Sequence, residues 1–137
     1  MFDKYNLAIE RIDPIKYSGK ITRVHGLLLE SHGPQVTIGE LCQIEIPKRN
    51  RLVPAEVVGI NGDTVQLMPI EETEGIETGC TVTASGDTLS IPVSDKLLGR
   101  VLDGMGRPID GRGFAGAVDW YSVFNEPPDV LYRSRIT

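Results

Sequence analysis

Val53-Pro54-Ala55-Glu56-Val57-Val58-Gly59-Ile60-Asn61-Gly62-Asp63-Thr64-Val65-Gln66-Leu67 decides the fold class of this chain. Val53, Ala55 and Val57 recur with the period of two that places side chains on one face of a strand. Asn61-Gly62 is a strong signal for a tight type I′ hairpin turn, and the chain returns through Val65 and Leu67. Upstream, Cys42, Ile44 and Ile46 face one way and Gln43 and Glu45 the other. Downstream, Cys80, Val82 and Ala84 alternate with Thr81 and Thr83. After a turn expected at Ser85-Gly86-Asp87, Leu89, Ile91 and Val93 alternate with Ser90 and Pro92. Gly19 to Leu29 reads as one less regular strand: Ile21 and Val24 sit on opposite phases and Gly26 precedes the Leu27-Leu28-Leu29 run, which a bulge or barrel corner would reconcile.

Six closely spaced strands without intervening helices predict an all-β fold, a small antiparallel β-barrel over residues 18–94. Closure removes the exposed edges that an open sheet would leave. Pro54, Pro69 and Pro92 lack a ladder donor and are expected at strand ends or bulges.

The flanks read differently. Phe2, Tyr5, Ile9 and Ile12 fall on one stripe of a short amphipathic helix over residues 1–14, which Asp3 would cap and Pro14 would end. From Asp95 the pattern changes. Asp95 can cap a short helical turn through Leu97, Leu98, Val101 and Leu102, and Gly104, Gly106, Gly111, Gly113 and Gly116 then forbid a helix. Residues 95–137 thus read as an irregular C-terminal extension, and nothing closes the chain at Thr137.

Composition narrows the function classes. In 137 residues, 40% hydrophobic and 24% charged is ordinary for a globular chain, while 15 Gly and 9 Pro favour short strands and turns. The formal net charge of −5 counts against general nucleic-acid binding. Cys42 and Cys80 stand far apart, in neither a CxxC nor a metal spacing, and read as buried residues of a reducing compartment. No apolar run is long enough to span a bilayer and no signal-peptide core is present, so a cytoplasmic location is expected.

Several segments, in order, resemble the flagellar and injectisome protein-export ATPases, relatives of the rotary ATP synthase catalytic subunits. They are Gly19-Lys20-Ile21-Thr22-Arg23-Val24-His25-Gly26, Ile38-Gly39-Glu40-Leu41-Cys42, Ala55-Glu56-Val57-Val58-Gly59-Ile60-Asn61-Gly62, and Leu67-Met68-Pro69-Ile70-Glu71-Glu72-Thr73-Glu74-Gly75-Ile76. Leu97-Leu98-Gly99-Arg100-Val101-Leu102-Asp103-Gly104-Met105-Gly106-Arg107-Pro108-Ile109-Asp110-Gly111 and Pro127-Pro128 complete the set. The co-linear order makes the resemblance specific. The fourth segment favours the flagellar branch over the injectisome branch and over rotary ATPase subunits.

The resemblance implies the N-terminal assembly and partner-docking part of a hexameric ATPase that energises flagellar or type III protein export. Residues 95–137 would then be the truncated start of its nucleotide-binding domain. It further implies a regulatory, stator-like export protein as partner, bound through Phe2, Tyr5, Ile9 and Ile12 of the N-terminal helix. The same stripe has a second reading, packing on its own barrel. The implied location is cytoplasmic, peripheral to the inner membrane at the export apparatus.

ATP and Mg²⁺ would belong to the parent protein, not to this stretch. A phosphate-binding loop needs Gly-Lys-Ser/Thr with a glycine five residues before the Gly-Lys pair. The single Gly-Lys pair, Gly19-Lys20, has Pro14 and Ile21 at those positions, so no catalytic, cofactor or metal residue is assigned and no enzyme activity is expected of the chain itself. Gly111-Arg112-Gly113-Phe114-Ala115-Gly116 spells GxGxxG, but without a preceding strand and following helix it reads as a connector. His25 and His32 lack partners at metal-ligand spacing. Glu71-Glu72-Thr73-Glu74 is either a solvated loop or a site for a basic partner. Arg100, Arg107, Arg112, Arg133 and Arg135 either meet an acidic neighbour or lie exposed on a linker. A reading from another class is a freestanding OB-like barrel for single-stranded nucleic acid. Its sparse aromatics and negative charge oppose it.

Overall fold

Alternation with one apolar face forces strands to cover that face, and here they do so by closing on themselves. The computed structural model describes residues 18–113, 116 and 119–136. The expected N-terminal helix, with Phe2, Tyr5, Ile9 and Ile12, lies outside the described residues. Six strands form a closed antiparallel barrel: β1 (Ser18–His25), β2 (Leu28–His32), β3 (Glu40–Ile46), β4 (Arg51–Asn61), β5 (Thr64–Pro69) and β6 (Thr81–Thr88). Their order is β1-β2-β5-β4-β3-β6, with β6 pairing back onto β1. The predicted fold class holds, and the inward residues are those the alternation selected. Ile44, Val53, Ala55, Val57, Leu67, Cys42 and Val82 are all fully buried. Each large aliphatic among them contributes about 1.5–3 kcal/mol by leaving water.

Two of the six strands differ from those expected. Gly19 to Leu29 is a hairpin of two strands. Its two-residue loop is Gly26-Leu27, with Gly26 at φ +56°, and a register shift between Ile21 and Arg23 supplies the expected bulge. Leu89 to Val93 is not a barrel strand. Its residues 90–93 form β7 (Ser90–Val93), which pairs antiparallel with β8 (Asp119–Ser122) in a separate two-stranded sheet. The total of six survives because one expected strand became two and another left.

The hairpin between β4 and β5 forms where expected, one residue further on. Asn61 pairs with Thr64, so the loop is Gly62-Asp63, with Gly62 at φ +60°. A positive φ at the first loop position is the type II′ arrangement, in place of the type I′ turn expected at Asn61-Gly62.

Ser85-Gly86-Asp87 is not a turn but a bulge within β6, opposite a register shift between Glu40 and Cys42. Pro54 sits well inside β4, yet at the limit of its ladder with β5. Its carbonyl accepts from Ile70 N just beyond Pro69, so its missing N–H faces the end of β5. Pro92 lies in β7, a strand with one open side.

The chain divides into two compact units, 1–89 and 90–137, each described by itself. Among the described residues no helix is long and apolar enough to cross a membrane.

Candidate functional site

Gly19-Lys20, the residues closest in type to a phosphate-loop pair, are locked in β1. Gly19 pairs with Val82 and Lys20 with Thr81, and Lys20 Nζ donates to Thr81 Oγ1 at 2.8 Å. A loop that cradles phosphate presents successive free N–H groups ahead of a helix. This segment is a paired strand instead.

The IGELC segment builds the junction of β3 and β6. Glu40 is buried, and its carboxylate is fully employed. Oε2 accepts from Thr37 N at 3.0 Å, and Oε1 accepts from Gly86 N at 3.1 Å in the β6 bulge. Ser85 Oγ completes the junction by donating to Leu41 O at 2.6 Å. A buried carboxylate is tolerable when backbone donors satisfy it in this way. The role of Glu40 was not legible from sequence, because its partner Gly86 is 46 residues away.

Cys42, two residues on, is fully buried. Burial, and secondarily the Glu40 charge, push its thiol up to about 12. The folded chain therefore keeps a proton that the unfolded chain releases near the thiol's ordinary value of 9.0. Stability from this group is intact below pH 9 and falls as pH rises toward 12, with a slope approaching about 1.4 kcal/mol per pH unit. We expect urea midpoints to fall through that window and Cys42→Ala to flatten the fall. In native buffer, thiol reagents should label Cys42 only as fast as the barrel opens.

The acidic run does not wave free. Glu71, Glu74 and Glu77 face Arg51, Arg49 and Lys48 at 3.6, 2.8 and 2.9 Å, tying the β5–β6 connection to the start of β4 and to a 3₁₀ turn at Pro47–Arg49. Its basic partner is the chain's own. His25 ends β1 and His32 ends β2, and no three metal-binding side chains cluster among the described residues.

In the second unit, Leu97-Leu98-Gly99-Arg100 to Asp110-Gly111 folds as a clasped hairpin. The expected helix is a single 3₁₀ turn, Asp95–Leu97, with Ser94 at its N-cap position and no side-chain cap. Val101 and Leu102 are extended. Ile109 N donates to Val101 O at 3.0 Å, and Leu102 bridges to Pro108. Asp103 Oδ1 accepts from Met105 N and Arg107 N at 2.9 and 2.8 Å, shaping the glycine-rich bend.

Arg100 grips Asp110 through two hydrogen bonds, Nε–Oδ2 at 2.6 Å and Nη2–Oδ1 at 3.1 Å, and also donates to Gly113 O. Of the arginines singled out from sequence, Arg100 thus has an acidic neighbour. Arg133 instead donates to Pro128 O at 3.2 Å.

The Arg100 hydrogen bonds, helped by the N–H groups of Val101 and Arg112, hold the Asp110 carboxyl well below the ordinary carboxylate range. That stabilisation is present above the usual 3.8 and is lost only as pH falls below it through the depressed value. We expect the Asp110 carboxyl ¹³C shift to titrate below that of a free aspartate. Arg100→Ala should raise that titration toward the ordinary value and speed amide exchange at Val101 and Ile109.

The closed six-stranded barrel defines the class. Residues 21–86 match the family model described as the ATP synthase alpha/beta family, beta-barrel domain, so the barrel of this chain belongs to that domain family. Over most of its length the chain is similar to flagellum-specific ATP synthases and to a type 3 secretion system ATPase. It is 51% identical to the flagellum-specific ATP synthase of Treponema pallidum over 110 residues, 80% of this chain and 25% of that protein. It is 44% identical to the flagellum-specific ATP synthase of Borreliella burgdorferi over 112 residues, 82% of this chain and 26% of that protein. A type 3 secretion system ATPase of Xanthomonas euvesicatoria is 38% identical over 118 residues, 86% of this chain and 27% of that protein. The chain spans about a quarter of the length of these curated relatives.

Proposed function

We propose that this chain is the N-terminal assembly and partner-docking part of a hexameric ATPase that energises flagellar protein export. The observation that carries the reading is the closed barrel, matched by the family model over residues 21–86 and accompanied by 51% identity to a flagellum-specific ATP synthase. In this reading residues 95–137 begin the nucleotide-binding domain, and ATP and Mg²⁺ are bound by other parts of the parent protein. The ladder position of Gly19-Lys20 supports that division, since the pair is committed to strand pairing. An injectisome ATPase is the alternative within the family. The identities of 51% and 44% to two flagellar relatives favour the flagellar branch, although other flagellar relatives, at 37% and 36%, match no better than secretion ATPases at 38% and 41%.

The N-terminal stripe of Phe2, Tyr5, Ile9 and Ile12 docks the regulatory, stator-like export protein, as an amphipathic helix fills a groove. Docking of this kind places the parent in the cytoplasm, against the inner membrane at the export apparatus. Single-stranded nucleic acid is not a partner in this reading, because residues 18–89 contain no Phe, Tyr or Trp on which a base could stack.

The test of the catalytic division is phosphate release from Mg²⁺-ATP by the purified chain. We expect none above the buffer rate, and Mg²⁺-dependent turnover would overturn the assignment.

A further inference from the structure

Charge and apolar surface coincide on one outer face of the barrel. Residues 18–89 hold ten acidic and five basic side chains, so the whole formal charge of −5 resides there. Four of the five cations, Arg23, Lys48, Arg49 and Arg51, are already ion-paired within the barrel unit. Lys20 is hydrogen-bonded to Thr81. Glu45 and Glu56 enter no ion pair among the described residues, and both point outward from β3 and β4, alternating with buried neighbours.

Between and beside them the outer face is apolar. Leu52 pairs with Glu45, Met68 with Glu56, and Ile70 bonds to Pro54 across the end of β5. Leu52, Met68 and Ile70 are 57, 48 and 38% exposed. Scattered exposed aliphatics need no explanation, but a contiguous group flanked by carboxylates that enter no ion pair among the described residues selects its occupant.

We infer that the outer face of β3, β4 and β5 docks a protein segment presenting aliphatic side chains interspersed with Lys or Arg. Apolar contact supplies the burial, and Glu45 and Glu56 steer and orient the basic residues. The same face of a second copy fits poorly, because it would set Glu45 and Glu56 against their own counterparts. An anionic lipid surface is repelled by the same two carboxylates. The inference is independent of the N-terminal stripe and of the proposed export role, since it uses only residues of the barrel.

The test uses the ¹⁵N-labelled full chain and a synthetic 18-residue amphipathic Leu/Lys peptide, with a Leu/Glu peptide of the same pattern as control. The Leu/Lys peptide should shift the amides of Gln43, Glu45, Leu52, Glu56, Met68 and Ile70, while the Leu/Glu peptide leaves them unmoved. Affinity should fall at least about tenfold in the double variant E45K/E56K, which is about 1.4 kcal/mol. The Leu52→Ser variant should weaken binding without altering the salt dependence. Dispersed spectra of both variants establish that they are folded. Equal binding of both peptides, shifts centred elsewhere on the barrel, or no binding would overturn the inference. So would shifts of these amides with protein concentration alone, which would make a second copy the occupant.

Discussion

Gly19→Ala is expected to be the most damaging single-methyl change in the barrel. A Cβ built at Gly19 meets Gly33 C and O and His32 O, all backbone atoms, far inside any contact distance. A flexible side chain could swing away, but these atoms belong to the chain leaving β2. Relief requires β1 to separate from that segment, and β1 is one of the two strands that close the barrel through β6. Overpacking usually costs about 1–3 kcal/mol, and a clash with backbone on two residues belongs at or beyond the top of that range. Gly26→Ala is the control. Nothing lies within 4 Å of its Cβ position, and only its φ of +56° is strained. It should cost about 1–2 kcal/mol. Urea unfolding followed by circular dichroism separates the two, and a Gly19→Ala midpoint within error of the parent would contradict the packing described here.

Ile44→Ala is expected to cost about 2–5 kcal/mol. Ile44 is fully buried at the middle of β3, opposite Val53 on β4 and Val82 on β6, both also fully buried. The barrel core contains no aromatic ring that could tilt to fill the space, so the cavity would persist. A domain of this size commands only about 5–15 kcal/mol in total, so the variant should be substantially unfolded near its former melting temperature. Leu52→Ala, on the opposite face of the same sheet, should shift stability by about 0.5 kcal/mol or less. Equal losses for the two would mean that the alternation does not distinguish inside from outside.

That alternation was the most legible feature of the sequence. Cys42-Gln43-Ile44-Glu45-Ile46 was readable because each inward residue is aliphatic or a thiol and each outward one polar. Gly26-Leu27 was not, since Leu27, 75% exposed in the loop, continues an apolar run that looks like uninterrupted strand. β7 misled for another reason. Ile91 and Val93 alternate as cleanly as the barrel strands, but alternation carries no address. The partner strand β8 begins at Asp119, across a glycine-rich stretch that reads as connector.

The candidate site was less legible than the fold. Arg100 and Asp110 lie only ten residues apart, yet the helix expected through Leu97, Leu98, Val101 and Leu102 would have placed Arg100 on a different path. Glu40 and Ser85 could be joined only by knowing that β3 and β6 are neighbours. Where the sequence is periodic the strand follows directly, but which strand it pairs with, like every contact between distant segments, only the register reveals.

The docking assignment of the N-terminal stripe is tested most directly by calorimetric titration of the full chain with the regulatory, stator-like protein proposed as its partner. Saturable binding is expected, falling at least about tenfold in the variant Phe2→Ser/Ile9→Ser, while the barrel's thermal melt is unchanged. Undiminished binding by that variant, or no binding by the unaltered chain, would contradict the proposed role.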